Sequence, residues 1–209
     1  MNNLLIDRDN LSKNIIVENK STINLINIKG KQKTTIELKD NADLTLNIFS
    51  KHSLDLNINV KLYNNSNLII NSSFINNDKH KEKININIIG SDNEVNVNAR
   101  GINNGNDVII ELNGNNVKNA RNNIFYEYAK VINNTNAKNI LIPNLLVDNC
   151  DVTFNHGVSI GHIKDKSVFY LESKGIKRKK AIELLEHGFI LSIMDEKIKD
   201  QINLSLKED

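Results

Sequence analysis

Along most of this chain apolar and polar residues alternate one by one. The stretch TTIELKDNADLTLNIF puts Ile36, Leu38, Leu44, Leu46 and Ile48 at alternate positions, with polar residues between. HSLDLNINVKL repeats this with Leu54, Leu56, Ile58, Val60 and Leu62, and KININIIG and NEVNVNAR continue it. A period of two sends successive side chains to opposite faces, so these segments predict strands with one buried face. Similar openings recur in NADLTL (41–46), NSNLII (65–70), DNEVNV (92–97), GNDVII (105–110) and AKNILI (137–142). Each is a small or polar corner followed by an apolar alternation. Intervals of roughly 12 to 28 residues suit solenoid coils better than an immunoglobulin-type sandwich. Residues 14 to about 155 therefore predict a parallel β-helix, with a two-sheet sandwich as the alternative.

Asparagine sharpens the picture. All asparagines but Asn155 and Asn203 lie in residues 1–150. Asparagine is a poor strand former, so the β-branched residues on the buried face must carry the stability. Its tolerance of left-handed backbone suits the corners of stacked coils. Gly30, Gly90, Gly101, Gly105 and Gly114 are also expected at turns, and Pro143 is the only proline.

From residue 165 the period becomes helical. DKSVFYLESKG opens on Asp165 as an N-cap, sets Val168, Phe169 and Leu171 on one side and stops at Gly175. KRKKAIELLEHGF spaces Ala181, Ile182, Leu184 and Leu185 for one helix face and ends near Gly188. From Asp195 to Leu206, Ile198, Ile202 and Leu206 recur at i, i+4 and i+8. The chain thus divides into a β-helix domain, 1–163, and a C-terminal helical domain, 164–209. These helices cannot form a large core alone, so they are expected to cap the open end of the last coil or to meet a partner.

With 27 basic and 25 acidic side chains, the net charge of +2 selects neither nucleic acid nor an anionic membrane. One cysteine, Cys150, excludes an internal disulfide framework and fits a reducing compartment. Asp7, Arg8 and Asp9 interrupt the N-terminal apolar run, which argues against a signal peptide, and no uncharged run is long enough to span a bilayer. The expectation is a soluble, cytoplasmic protein.

The stretch IPNLLVDNCDVTFNHGVSIGHIKDKSVFYLESKGIKRKKAIELLEHGF carries a denser signature. Its ordered elements are Pro143 and Leu145, Asp151 and Val152, His156 and Gly157, and Ile160 and Gly161. They continue with Phe169, Tyr170 and Leu171, then Ser173, Gly175 and Ile176, Ala181, Leu184 and Leu185, and Gly188 with Phe189. This pattern resembles the C-terminal region of the SufB/SufD proteins of iron–sulfur cluster assembly, and His-Gly at 156–157 resembles the SufD side. The resemblance implies a right-handed parallel β-helix with a small helical cap. It also implies a non-catalytic scaffold that docks a SufC-like ABC-type ATPase through its helices and pairs with a SufB/SufD-like subunit through the β-helix. A transient cluster would form at the subunit interface, with none bound by this chain alone. The chain departs from the family in three respects. Family members are longer, Lys174 stands where an arginine is usual, and Tyr126-Glu127-Tyr128-Ala129-Lys130 lacks the cysteine of the SufB type.

His156 is the sharpest ligand candidate: neutral imidazole binds iron, and Gly157 would let the backbone turn around it. A backbone-bonded turn histidine is the alternative. Cys150 is a weaker candidate, since one thiolate cannot hold a cluster without partner ligands. His162 and His187 read as structural or solvated, and His52 and His80 as lying in polar surroundings. For the partner surface, Tyr170, Glu172, Lys174, Lys177, Arg178, Leu184 and Phe189 are the candidates, while Phe169, Leu171 and Leu185 are expected to be buried. There is no nucleotide-binding GxxxxGK[ST] motif. Two rival readings are a polymerising β-solenoid, and a polysaccharide-active β-helix drawing on Glu37, Asp40, Asp43 and Asp55.

Overall fold

The computed structural model describes residues 2–5 and 11–207, so the charged segment at Asp7–Asp9 lies outside the described residues. The strands fall alternately into two parallel sheets. One sheet contains, in order, β1 (Asn2–Leu5), β3 (Ser21–Ile26), β5 (Asp43–Ser50), β7 (Asn67–Asn76), β9 (Glu94–Asn103), β11 (Asn123–Asn133) and β13 (Val152–Gly161). The other runs β2 (Asn14–Val17), β4 (Gly30–Leu38), β6 (Leu54–Leu62), β8 (His80–Ile88), β10 (Val108–Asn116) and β12 (Asn139–Val147). Every pairing is parallel, so each coil adds one strand to each sheet and the chain winds as a β-solenoid. A sandwich of antiparallel sheets is excluded.

The irregular spacing in the sequence comes from mixing two series. NADLTL, NSNLII and DNEVNV are successive rungs of the first sheet, with Asp43 beside Asn67 and Asn67 beside Glu94. GNDVII and AKNILI are neighbouring rungs of the second, with Val108 beside Asn139. TTIELKDNADLTLNIF is two strands, β4 and β5, on either side of a corner.

The apolar phase of every complete strand points inward, giving a continuous core from Leu25 and Ile36 to Phe125 and Val131. Asparagines on the outer phase stack in ladders. Asn144 donates to Asn113, Asn113 to Asn85 and Asn85 to Asn59, at 2.9, 3.0 and 3.0 Å. In-register stacking of identical amides lets a poor strand former satisfy its polar atoms, as in cross-β ladders.

At one corner, Asn41, Asn65, Asp92 and Asn122 all have positive φ, between 51° and 63°. They stack coil upon coil: Asn65 donates to Asn41 at 2.6 Å and Asn122 to Asp92 at 2.7 Å. A β-branched residue is disfavoured in this left-handed region by about 1–2 kcal/mol. Asn65→Val is therefore expected to lower the unfolding free energy by about 2 kcal/mol, and Asn65→Gly by clearly less, in urea titrations. Equal losses for both would show that backbone conformation is not what asparagine supplies there.

Gly101 and Gly114 lie inside β9 and β10, not at turns. A Cβ on Gly101 would overlap the Phe74 ring, and one on Gly114 would overlap the ring of Phe125. These glycines make room for two of the largest side chains of the lumen.

The helices are α1 (Asp165–Glu172), α2 (Arg178–Leu191) and α3 (Glu196–Ser205). Asp165 is the first helical residue of α1, and Lys164 holds the cap position. Gly175 ends the turn after α1 at φ +85°, while α2 runs on through Gly188. They do not close the last coil. They lie on the outer face of the first sheet, where Ile190, Met194, Ile198 and Ile202 share a second apolar core with Phe49 and Ile102. Polar contacts follow the chain back from late coils to early ones. Asn134 donates to Glu186, Arg100 to the Phe189 carbonyl, Asn47 to Asp195 and Ser205 to Asn27. The outer row Ile26, Phe49, Ile75, Ile102 and Ile132 leaves an apolar stripe that only this docking covers. The boundary at 163/164 falls between β13 and α1, with the helical segment packed on the sheet.

Candidate functional site

With the helices on the flank, β12 and β13 form an uncovered end. Each is the last strand of its sheet among the described residues. Register shows which side chains face the lumen there: Phe154, His156, Val158 and Ile160 pair with the buried Phe125, Glu127, Ala129 and Val131. Val147, Val158 and Ile160 occupy lumen positions yet are 41–49% exposed, because no further coil covers them. Such an uncovered strand edge, with unpaired backbone groups and apolar side chains, is one that another chain could extend.

His156 sits in the middle of this end. It is an extended residue of β13, not a turn. Gly157 serves a different purpose from the one expected: it lies beside Tyr128, and a Cβ would approach that ring to 3.0 Å. The His156 ring is half exposed, with Nδ1 3.9 Å from Oε1 of Glu127. Glu127 is the register partner of His156 one coil below, and it is fully buried. Neither of its carboxylate oxygens makes a hydrogen bond of ordinary geometry. Burial pushes its pKa up to about 8, and the nearby Asn144 backbone amide counteracts this only in part. In the sequence Glu127 stands out only as part of a segment without cysteine. Its signal is there nonetheless: in Asn123, Phe125, Glu127, Ala129 and Val131 it is the one charged residue in the inward phase.

Cys150 is exposed in the corner before β13. Four extended residues, about 13 Å, separate the start of that strand from His156, so the two are not brought together as ligands. His162 binds the Asn133 carbonyl, a structural role. His80 has a polar neighbour, but inside the solenoid and not at the surface. It is buried, stacked on Phe74 at 3.6 Å, and its Nε2 lies 3.3 Å from Glu82, which also accepts from Ser72 at 3.0 Å. Glu37, Asp40 and Asp43 are each engaged separately, with Lys39, Asn64 and Asn67, and form no shared acidic face.

On the helices, Phe169 is 69% exposed, against expectation, because Val168 is the α1 residue turned inward. Leu171 and Leu185 are half-buried. Tyr170 (60%) and Leu184 (43%) are exposed, and the Lys174 ammonium lies 5.6 Å from the Tyr170 ring centre. Arg178 clamps the helix pair by bonding Asp165 at 3.1 Å and Glu172 at 3.3 Å. Lys177 is the exposed cap of α2. Phe189 is not a surface contact: it packs on the second core beneath Arg100, whose guanidinium is 5.2 Å from its ring.

Fold and site together define a parallel β-solenoid flanked by helices, with an open terminal coil that presents a histidine above a buried carboxylate. The sequence of that open coil and of α1 and α2 is similar to a known family. Residues 125–189 match the family described as SUF system FeS cluster assembly, SufBD core domain. Similar proteins include the iron–sulfur cluster assembly protein SufD of Bacillus subtilis, 37% identical over 54 residues, which are 26% of this chain and 12% of that protein. The SufD of Escherichia coli is 33% identical over 64 residues, 29% of this chain and 15% of its own length. These matches lie in the C-terminal part of the chain, and they span only a small share of the relatives' length.

Proposed function

We propose that this protein is a non-catalytic scaffold subunit of SUF-type iron–sulfur cluster assembly, acting in the cytoplasm. It docks a SufC-like ABC-type ATPase through α1 and α2 and pairs with a SufB/SufD-like subunit through the open end of the solenoid. Iron and sulfide are its cargo, and ATP hydrolysis belongs to the partner. One observation carries this reading: the family match, 125–189, coincides with the open coil, α1 and most of α2, where the uncovered apolar side chains gather. No helix among the described residues is long and apolar enough to cross a membrane.

The docking face combines Phe169, Tyr170 and Leu184 with Lys174 and Lys177. Exposed aromatics beside cations are typical binding anchors, and truncating such a residue commonly costs over 2 kcal/mol. Co-purification with a SufC-type ATPase is expected for the wild-type chain, and Phe169→Ala with Tyr170→Ala should weaken it about thirtyfold or more. The thermal midpoint should stay the same, since both rings are mostly solvent-exposed at home. A wild-type chain with no affinity for the ATPase would remove this reading.

A further inference from the structure

On the outer face of the first sheet, Arg100 of β9 and Lys130 of β11 are register partners, so two cations stand side by side on strands about 4.8 Å apart. Like charges so placed repel one another. Neither makes an ion pair among the described residues. The nearby helical segment offers no free carboxylate: Glu183 accepts from Lys180 at 2.6 Å, Glu186 from Asn134 at 2.6 Å and Asp195 from Asn47 at 3.0 Å. Arg100 is half-buried, and its Nη1 donates to the Phe189 carbonyl at 3.1 Å and to the Ser192 hydroxyl, which fixes the guanidinium at the end of α2. Its Nε and Nη2 have no hydrogen-bond partner among the described residues. These two nitrogens form the edge of a guanidinium that grips an oxyanion through two parallel bonds. Burial lowers the Arg100 pKa below its usual value, with no opposite charge to offset it.

A pocket of about 210 Å³ lies at these cations, lined by Asn98, Ala99, Arg100, Tyr128 and Lys130. Asn98 ends an amide ladder on this face. It donates to Asn71 at 3.5 Å and Asn71 to Asn47 at 3.0 Å, while its register partner on the other side is Tyr128. One amide N–H of Asn98 is therefore left over. We propose that this pocket binds one small tetrahedral oxyanion of the phosphate class. The free edge of Arg100 holds two of its oxygens, the Lys130 ammonium supplies the second positive charge, and Asn98 adds a neutral donor. Sites for drug-sized ligands start at about 300 Å³, so the volume suits the bare ion and not a whole nucleotide. The anion relieves the repulsion between the two cations and offsets the burial of the guanidinium. All the groups involved belong to this chain, so the site stands independently of the scaffold reading.

Phosphorus NMR of inorganic phosphate titrated into the intact protein, at constant ionic strength, tests the site. Saturable binding of one ion per chain is expected. Arg100→Lys keeps a charge and a donor for the Phe189 carbonyl but loses the two-nitrogen edge, and Lys130→Gln removes the second charge. Each should weaken binding about tenfold or more, the usual size for a charge-assisted hydrogen bond. Melting midpoints show whether α2 stays docked. Lys130 is exposed and holds no protein partner, so Lys130→Gln should melt like wild type and keeps the test decisive even if Arg100→Lys unfolds. Lys83→Gln, which alters a lysine of the other sheet, should bind phosphate like wild type. AMP, titrated in parallel, should bind more weakly than the free ion. Absent saturation, or Lys130→Gln binding as tightly as wild type, overturns the site. An equal loss with Lys83→Gln would assign the effect to diffuse charge and overturn it too. AMP binding more tightly than phosphate would overturn the bare ion as the ligand.

Discussion

Glu127→Gln is expected to stabilise the fold at pH 8 and leave it unchanged at pH 4. The sign follows from where the proton sits. The folded carboxyl titrates at about 8, against 4.5 for the ordinary group, because burial disfavours its charged form. Between those values the unfolded chain has lost the proton and the folded chain still holds it. Unfolding then releases a proton, so stability is fully present below pH 4.5 and falls as pH rises towards 8. Glutamine cannot ionise and escapes this loss. The difference should reach roughly 3 kcal/mol at pH 7, on the scale of 1.36 kcal/mol per tenfold change in proton affinity. Urea unfolding of both proteins from pH 4 to 8 measures it. Curves separated by the same amount at every pH would mean that Glu127 is solvated when the chain is folded.

The second large effect lies deeper in the solenoid. Phe74→Ala is expected to cost about 3–5 kcal/mol, the usual range for removing a buried aromatic ring. Phe74 is 1% exposed, lies flat on His80 and fills the space beneath Gly101. Gly101→Ala alone should cost about 1–3 kcal/mol or more, since its methyl group would collide with that ring. The two must not add. Once the ring is gone the methyl group has room, so the double variant should be better than the sum of the singles by at least about 1 kcal/mol. Denaturant titrations of all four proteins close the cycle, and strict additivity would show that neighbouring coils absorb the methyl group by shifting.

Several features follow directly from the order of residues. Strict alternation at Leu54–Leu62 can bury its apolar set only as a strand, and β6 is that strand. Asparagine at 41, 65 and 122 supplies the left-handed corners. Ile198 and Ile202, one helical turn apart, are the buried stripe of α3. The docking candidates Tyr170 and Lys174 are exposed as expected. In each case the decisive interaction spans a few residues, so local pattern carries it.

Other features depend on residues far apart in the chain. Alternation reveals that Glu127 faces inward, but not that His156 lies beside it; a register spanning a whole coil makes that juxtaposition. Gly101 reads as a turn because the ring it accommodates belongs to the coil below. Phe169 reads as core because helical spacing gives a face without saying what the face meets. The helices are expected across the open end, yet an equally apolar stripe on the outer face of the sheet, Phe49 to Ile132, claims them. The order of residues alone thus determined a stack of β-coils followed by three amphipathic helices. Only the tertiary structure decided which end stayed open and which buried acid met the histidine there, because coil-to-coil register and helix docking arise from contacts that no local period encodes.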